Sequence, residues 1–281
     1  MTRLRTATAL QWCFVTLVLL FEVAPVLVVY PLAFNSASYL QFPPPGVSTR
    51  WFHSYFTDSS WTHATIHSLV VALGATAIAV VVGTLASVAL VRRRMRGAGA
   101  ITLFIMLPMV MPTIVISIGL YALFTRLGLV GTTIGLVFAH ALLGTPFVVI
   151  NVSARLRTMS RSIELAAASL GASPFRVFLE VTAPLIRPAL FGGALFAFLA
   201  SWDEFIIAYF AAGVNGQTLP LRIFAGIRFA VDPTAAAASA MLVSLVIVGA
   251  AIMALTTSLH SRRRAEGRAR ARAAQLEAAN A

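Results

Sequence analysis

The chain alternates long apolar runs with short polar clusters. Six of the runs are long enough to cross about 30 Å of hydrocarbon as helices of roughly 20 residues. They fall at 12–34, 64–91, 100–124, 130–152, 190–212 and 237–259, each ended by Gly, Pro or Arg. The pattern predicts an all-α, polytopic membrane protein with a cytoplasmic N-terminus (1–11), a first transmembrane helix (12–34) and an external segment (35–63). A core of five further helices then covers 64–260, and a tail covers 261–281. The first run follows Arg3 and Arg5 but exceeds the apolar core of a cleaved leader, so it reads as a retained helix.

Composition agrees, since 59% of residues are hydrophobic and 11% charged, well outside the soluble range. A net charge of +12 first suggests nucleic acid. Placement argues against that reading, because the 21 basic residues are all Arg and cluster between the apolar runs, as membrane topology requires. Arg3, Arg5, the 92–96 cluster, the 153–189 connection and the tail lie on one side. The other side has only Arg50, Arg126, Arg222 and Arg228, so both termini and the 153–189 connection are expected in the cytoplasm. The single cysteine, Cys13, gives neither a disulfide nor metal-ligand spacing. Trp51, Phe52, Tyr55, Phe56 and Trp61, after Pro43-Pro44-Pro45-Gly46, read as an aromatic belt at the outer headgroups. The Arg/Ala tail reads as a solvated or membrane-surface helix.

The stretch SRSIELAAASLGASPFRVFLEVTAPLIRP at 160–188, within a cytoplasmic loop of 155–188, is too polar to span and rich in helix signals. Ser160 or Ser162 can cap a first short helix with Glu164 in its opening turn, and Gly171 can end it in the left-handed conformation. Ser173 starts a second helix with Pro174 at its first position, and Pro184 and Pro188 are expected to end or bend that helix before the fifth span. Ile163, Ala166, Ala167 and Leu170 share one face at helical spacing. With no lipid around it, that face must pack on the chain's own helix ends or on a partner protein.

Leu165-Ala166-Ala167-x-x-x-Gly171 followed by Val181-x-x-Pro184 resembles the cytoplasmic loop of binding-protein-dependent ABC importer permeases, which begins Glu-Ala-Ala, has Gly four positions after the second Ala, and ends Ile-x-Leu-Pro. Here Leu165 stands where that family has Glu, Glu164 lies one position early, and Ala183 replaces Leu. The resemblance implies a type I permease fold in a bacterial inner membrane. It also implies a coupling helix over Glu164–Ser173, including Ala172, that docks on an ATPase. PPPGVSTRWFHSYF, SWDEFIIAYF and LPLRIFAGIRFAVDPTAAAASAML look like spermidine/putrescine-type permeases. The implied partners are two ATPase subunits, which would bind ATP and Mg, a second and non-identical permease, and an external solute-binding protein. The implied cargo is a small solute, a polyamine first, with an amino-acid derivative, opine, phosphonate or metal as alternatives.

A chain without lysine cannot present the phosphate-binding loop G-x-x-x-x-G-K-[ST], so no cofactor is expected on it and ATP would be handled elsewhere. Ionisable residues inside spans are costly and mark either a route or an internal pair. Glu22, His140, Asp203 and Glu204 qualify. Asp203 lies 13 residues beyond Leu190, about 20 Å along a helix, which places it past the midplane. Asp203 and Glu204 point about 100° apart, so they cannot both face one solute directly. With Trp202 beside them they form a candidate route for a cation, and pairing with a neighbouring helix is the competing reading. His140, near Gly144 and Pro146, reads as a structural histidine. An intramembrane enzyme lacks any H-E-x-x-H or G-x-S-x-G frame here. A proton-coupled carrier would leave the ordered loop without a purpose.

Overall fold

A computed structural model describes residues 2–93, 95–213, 216–230 and 232–248. The chain divides into two compact units, one formed by residues up to Tyr55 together with those from Gly226 onward, the other by Phe56–Ala225.

In the first unit, α1 (Thr2–Ala33) is a 32-residue helix whose side chains from Gln11 onward are mostly exposed, as a lipid-facing span requires. Its end packs at Ala33 against Ala237 and Ala240, with Trp51 and Phe52 alongside. Trp51 lies on α2 (Arg50–Thr57), and its indole N–H donates to the Asn35 carbonyl at 2.8 Å. Asn35 is fully buried, accepting from the Ala37 amide and donating to the Tyr39 carbonyl. The last described helix of the chain begins at Thr234 and is followed to Val248. Its Ser244 hydroxyl meets that of Tyr30 at 3.0 Å. Residues 249–259 of the expected sixth span, and the 261–281 tail, lie outside the described residues.

The second unit begins with α3 (Ser59–Arg92), capped by the Asp58 side chain, which accepts from the Ser60 amide. Trp61 is fully buried and Tyr55 nearly so, which corrects the aromatic-belt expectation for both; Phe56 stays exposed. The expected third span at 100–124 is not one rod. It is α4 (Ala98–Val110) and α5 (Thr113–Leu127), bent by 105° at Met111-Pro112. Proline at 112 disfavours the helical region for Met111, which sits at ψ 141°. The fourth span is α6 (Thr133–Thr158), and Arg155 at its cytoplasmic end donates to the Leu185 carbonyl.

The hairpin helices follow as α7 (Arg161–Ser169) and α8 (Pro174–Val177). The sequence places a helix end or bend at Pro184, but the chain runs on through a π turn at Phe178–Thr182 into α9 (Ala183–Trp202), one apolar helix of 29 residues from Pro174. Pro184 has no N–H for the Glu180 carbonyl, and the wider turn accommodates that missing bond without breaking the helix. At the outer side the expected 190–212 span stops at Trp202, and α10 (Ile206–Ala211) follows after a three-residue break. α11 (Leu219–Ala225) closes the unit, its Leu219 amide donating to Ser68 at 2.7 Å.

α3, α6 and α9 form the core. A Cβ on Gly83 would lie 2.8 Å from Val148 Cβ, one on Gly193 2.9 Å from Val148 Cα, and one on Gly144 3.0 Å from Ala197 Cβ. Only residues this small let three spans approach so closely, and in lipid such packing is a main source of helix association. Ala79, Val148, Val152, Leu156 and Ile186 fill the cytoplasmic half of this seam. Val71, Phe124, Leu136 and Ile207 fill a second cluster where α5 and α10 join α3 and α6.

Candidate functional site

The hairpin is built as its local signals dictate. Ser160 caps α7, Glu164 lies in its first turn, and Gly171 adopts φ 88°. The Ala172 amide then closes back on the Ala167 carbonyl at 3.2 Å, the six-to-one bond of a glycine-terminated helix. Ser173 caps α8, with Pro174 at its first position. Among the residues named from sequence, Ile163, Leu165, Ala166, Leu170, Gly171 and Ser173 are exposed, and Leu170 is 90% so. Ala167, Ala172 and Pro184 are half-buried. The apolar face of α7 therefore does not rest on the chain's own helix ends.

Glu164 points the other way. Its Oε2 lies 2.8 Å from Arg92 Nε at the end of α3, and its Oε1 accepts from the Thr182 hydroxyl at 2.8 Å. These groups border a hollow of about 270 Å³, also lined by Val88, Ala168, Val177 and Phe178. Arg92 and Thr182 carry no local signal of this role, because their partner is far away in sequence. The only hint is that Glu164 sits one position off the expected motif.

At the other end of α9 the two neighbouring acids separate. The Glu204 carboxylate accepts from the Ile207 amide at 2.8 Å, so one of its oxygens is engaged at the start of α10. The Asp203 amide closes the end of α9 on Leu199, and its side chain is exposed, with no partner among the described residues. Trp202 stacks on Phe198 at 5.7 Å, while Phe205 packs on Phe224 at 4.6 Å and on Tyr209 at 5.7 Å. Because α9 starts at Ala183, Asp203 lies about 30 Å along it, farther out than the 20 Å expected. Glu22 is exposed on α1, in the other unit. His140 is buried, its Nδ1 2.8 Å from the Ser201 hydroxyl, so it ties α6 to α9; its Nε2 has no partner among the described residues.

An outer cluster escaped the sequence reading. Arg222 on α11 lies over the Trp61 ring at 4.6 Å, donates to Ser60 and faces Asp58 at 3.9 Å. Asp58, outside the span, is held below the ordinary carboxylate range chiefly by the Ser60 amide; burial opposes this, and Arg222 adds the smallest effect.

Apolar spans around a glycine-packed core, with a capped helix–glycine–helix hairpin at one end, make this a polytopic membrane protein. Residues 79–265 match the family described as binding-protein-dependent transport system inner membrane component, and the chain belongs to it. It is 38% identical over 239 residues to the putrescine transport system permease protein PotI of Escherichia coli K12, covering 82% of this chain and 84% of that protein. It is 30% identical over 254 residues to the spermidine/putrescine transport system permease protein PotC of the same strain, covering 90% and 94%. Its fold matches a chain of a bacterial ABC transporter involved in import of the acidic polysaccharide alginate, with a TM-score of 0.72 over 89% of this chain and 96% of that one, at 16% identity. The molecule is thus an inner-membrane permease subunit of an ABC importer with the type I fold.

Proposed function

We propose that the chain carries a polyamine of the putrescine/spermidine class inward, as the non-catalytic subunit of a complex whose separate ATPase pair binds ATP and Mg. A second, non-identical permease and an external binding protein complete the complex. The observation that carries this reading is the hairpin. Ile163, Ala166 and Leu170 present an exposed apolar face on a helix with no buried residue, and such a face calls for a protein partner. The polyamine class is supported by the cargo named for the two Escherichia coli relatives. It is also supported by the exposed Asp203 carboxylate beside Trp202, since ammonium groups are attracted to both carboxylates and aromatic faces.

The test is co-expression with the cognate ATPase and binding protein. Gly171→Asp adds a side chain and a charge to the tip of the hairpin, where nothing of the chain itself lies within 4 Å but the φ of 88° also strains any side chain. ATPase co-purification and putrescine uptake are expected to fall together. If both stay at wild-type level, the docking assignment is wrong.

A further inference from the structure

We propose that Arg92, Glu164 and Thr182 form a clasp that makes the ATPase-docking hairpin move as one piece with α3 and α9. This positioning role rests on the permease reading above. Glu164 has two carboxylate oxygens, and each is engaged within the chain, one with Arg92 and one with Thr182. With only 13% of the side chain exposed, the carboxylate is turned toward its own chain and away from the surface a partner protein would meet. The docking face of α7 is accordingly its apolar side, around Ile163, Ala166 and Leu170, while its charged side holds the membrane domain.

Burial separates this ion pair from an ornamental one. The Arg92 and Glu164 side chains are 15% and 13% exposed, and Thr182 is 3% exposed, so water screens the contact weakly. Arg92 Nε and Nη2 are buried without an aligned acceptor, so the guanidinium is held mainly by the charge of Glu164 at close range. Losing that carboxylate would leave a buried charge uncompensated.

The three residues stand where force would have to pass. Arg92 ends α3, Glu164 lies in the first turn of α7, and Thr182 is the last residue of the π turn through which α8 continues into α9. A load on α7 therefore reaches two spans at once. Without the clasp, α7 keeps its chain connections and its packing on α8 and the π turn but loses its tie to α3, and it is freer to tilt. Docking would then persist while transmission failed.

The experiment uses the full complex of this chain with its partner permease, ATPase and binding protein in proteoliposomes. It measures putrescine uptake, ATP hydrolysis and ATPase co-purification. Glu164→Gln and Arg92→Gln are each expected to lower uptake about tenfold with co-purification unchanged. The double variant should also fall about tenfold, because both changes remove one interaction. The charge exchange R92E/E164R should recover at least half of wild-type uptake.

A double variant near a hundredfold loss would overturn the clasp. So would loss of the ATPase from Glu164→Gln alone, which would make Glu164 a docking contact. If Glu164→Gln does not accumulate, Thr182→Val serves in the same cycle with Arg92→Gln, and additive losses there overturn the proposal. An unmodified chain that fails to bind the ATPase would instead overturn the permease reading beneath it.

Discussion

The two ends of the helix from Pro174 to Trp202 each have a carboxylate at hand, and they use it in opposite ways. At the hairpin end Glu164 is half-buried, paired with Arg92 and bonded to Thr182, so its charge fixes geometry. At the outer end Asp203 is exposed, while its neighbour Glu204 has one oxygen engaged at the start of α10. A carboxylate engaged by its own chain holds the fold in place, whereas one left open beside aromatic rings is available to a passing cation. Position in a motif does not distinguish them; the partner does.

The comparison is broken most severely by disturbing the stretch both ends share. Gly193→Leu would drive a side chain into Val148 Cα, where even a Cβ would sit at 2.9 Å. A loss of about 3 kcal/mol is expected from such overpacking. It would show as a lower thermal midpoint and poor recovery in detergent, with the functions of both ends lost together. Asp203→Asn should be milder and one-sided. It is expected to lower putrescine uptake on the order of tenfold, the loss of one charge contact with a cation, while thermal midpoint and ATPase co-purification stay at wild type. Unchanged transport kinetics would remove Asp203 from the route. The smallest effect is expected of Arg176→Gln. Its pair with Glu180 at 3.1 Å is 67% and 65% exposed, so both uptake and midpoint should hold, in contrast to the half-buried Arg92 pair.

What could be foreseen followed the range of the physics involved. Ser160, Gly171, Ser173 and Pro174 act through bonds to residues a few positions away, and all four sit where their chemistry predicts. The existence of spans was equally plain from hydropathy. Two proline effects were misjudged. Pro112 bends the third span by 105°, while Pro184, expected to end or bend a helix, is absorbed in a π turn that keeps the helix running. A proline's missing N–H is certain from sequence, but whether the backbone breaks or widens depends on what packs around it. The Arg92–Glu164 pair and the Ser201–His140 bond join residues 72 and 61 positions apart. No periodicity encodes such distances. The separation of Asp203 from Glu204 likewise depended on where α9 stops, which the apolar run through Phe210 conceals.

The π turn has a bearing on phase. Ile186, Gly193, Ala197 and Ser201 form the buried stripe of α9, and their azimuth is set by how many residues precede them from the hairpin. Deleting a single codon between Phe178 and Thr182 would rotate that stripe by about 100° relative to α8, putting Ala194 where Gly193 now meets Val148 and Phe198 where Ala197 now meets Gly144. The length of this short stretch is therefore an angular setting, which aligns the orientation of the cytoplasmic hairpin with the face that α9 presents inside the membrane.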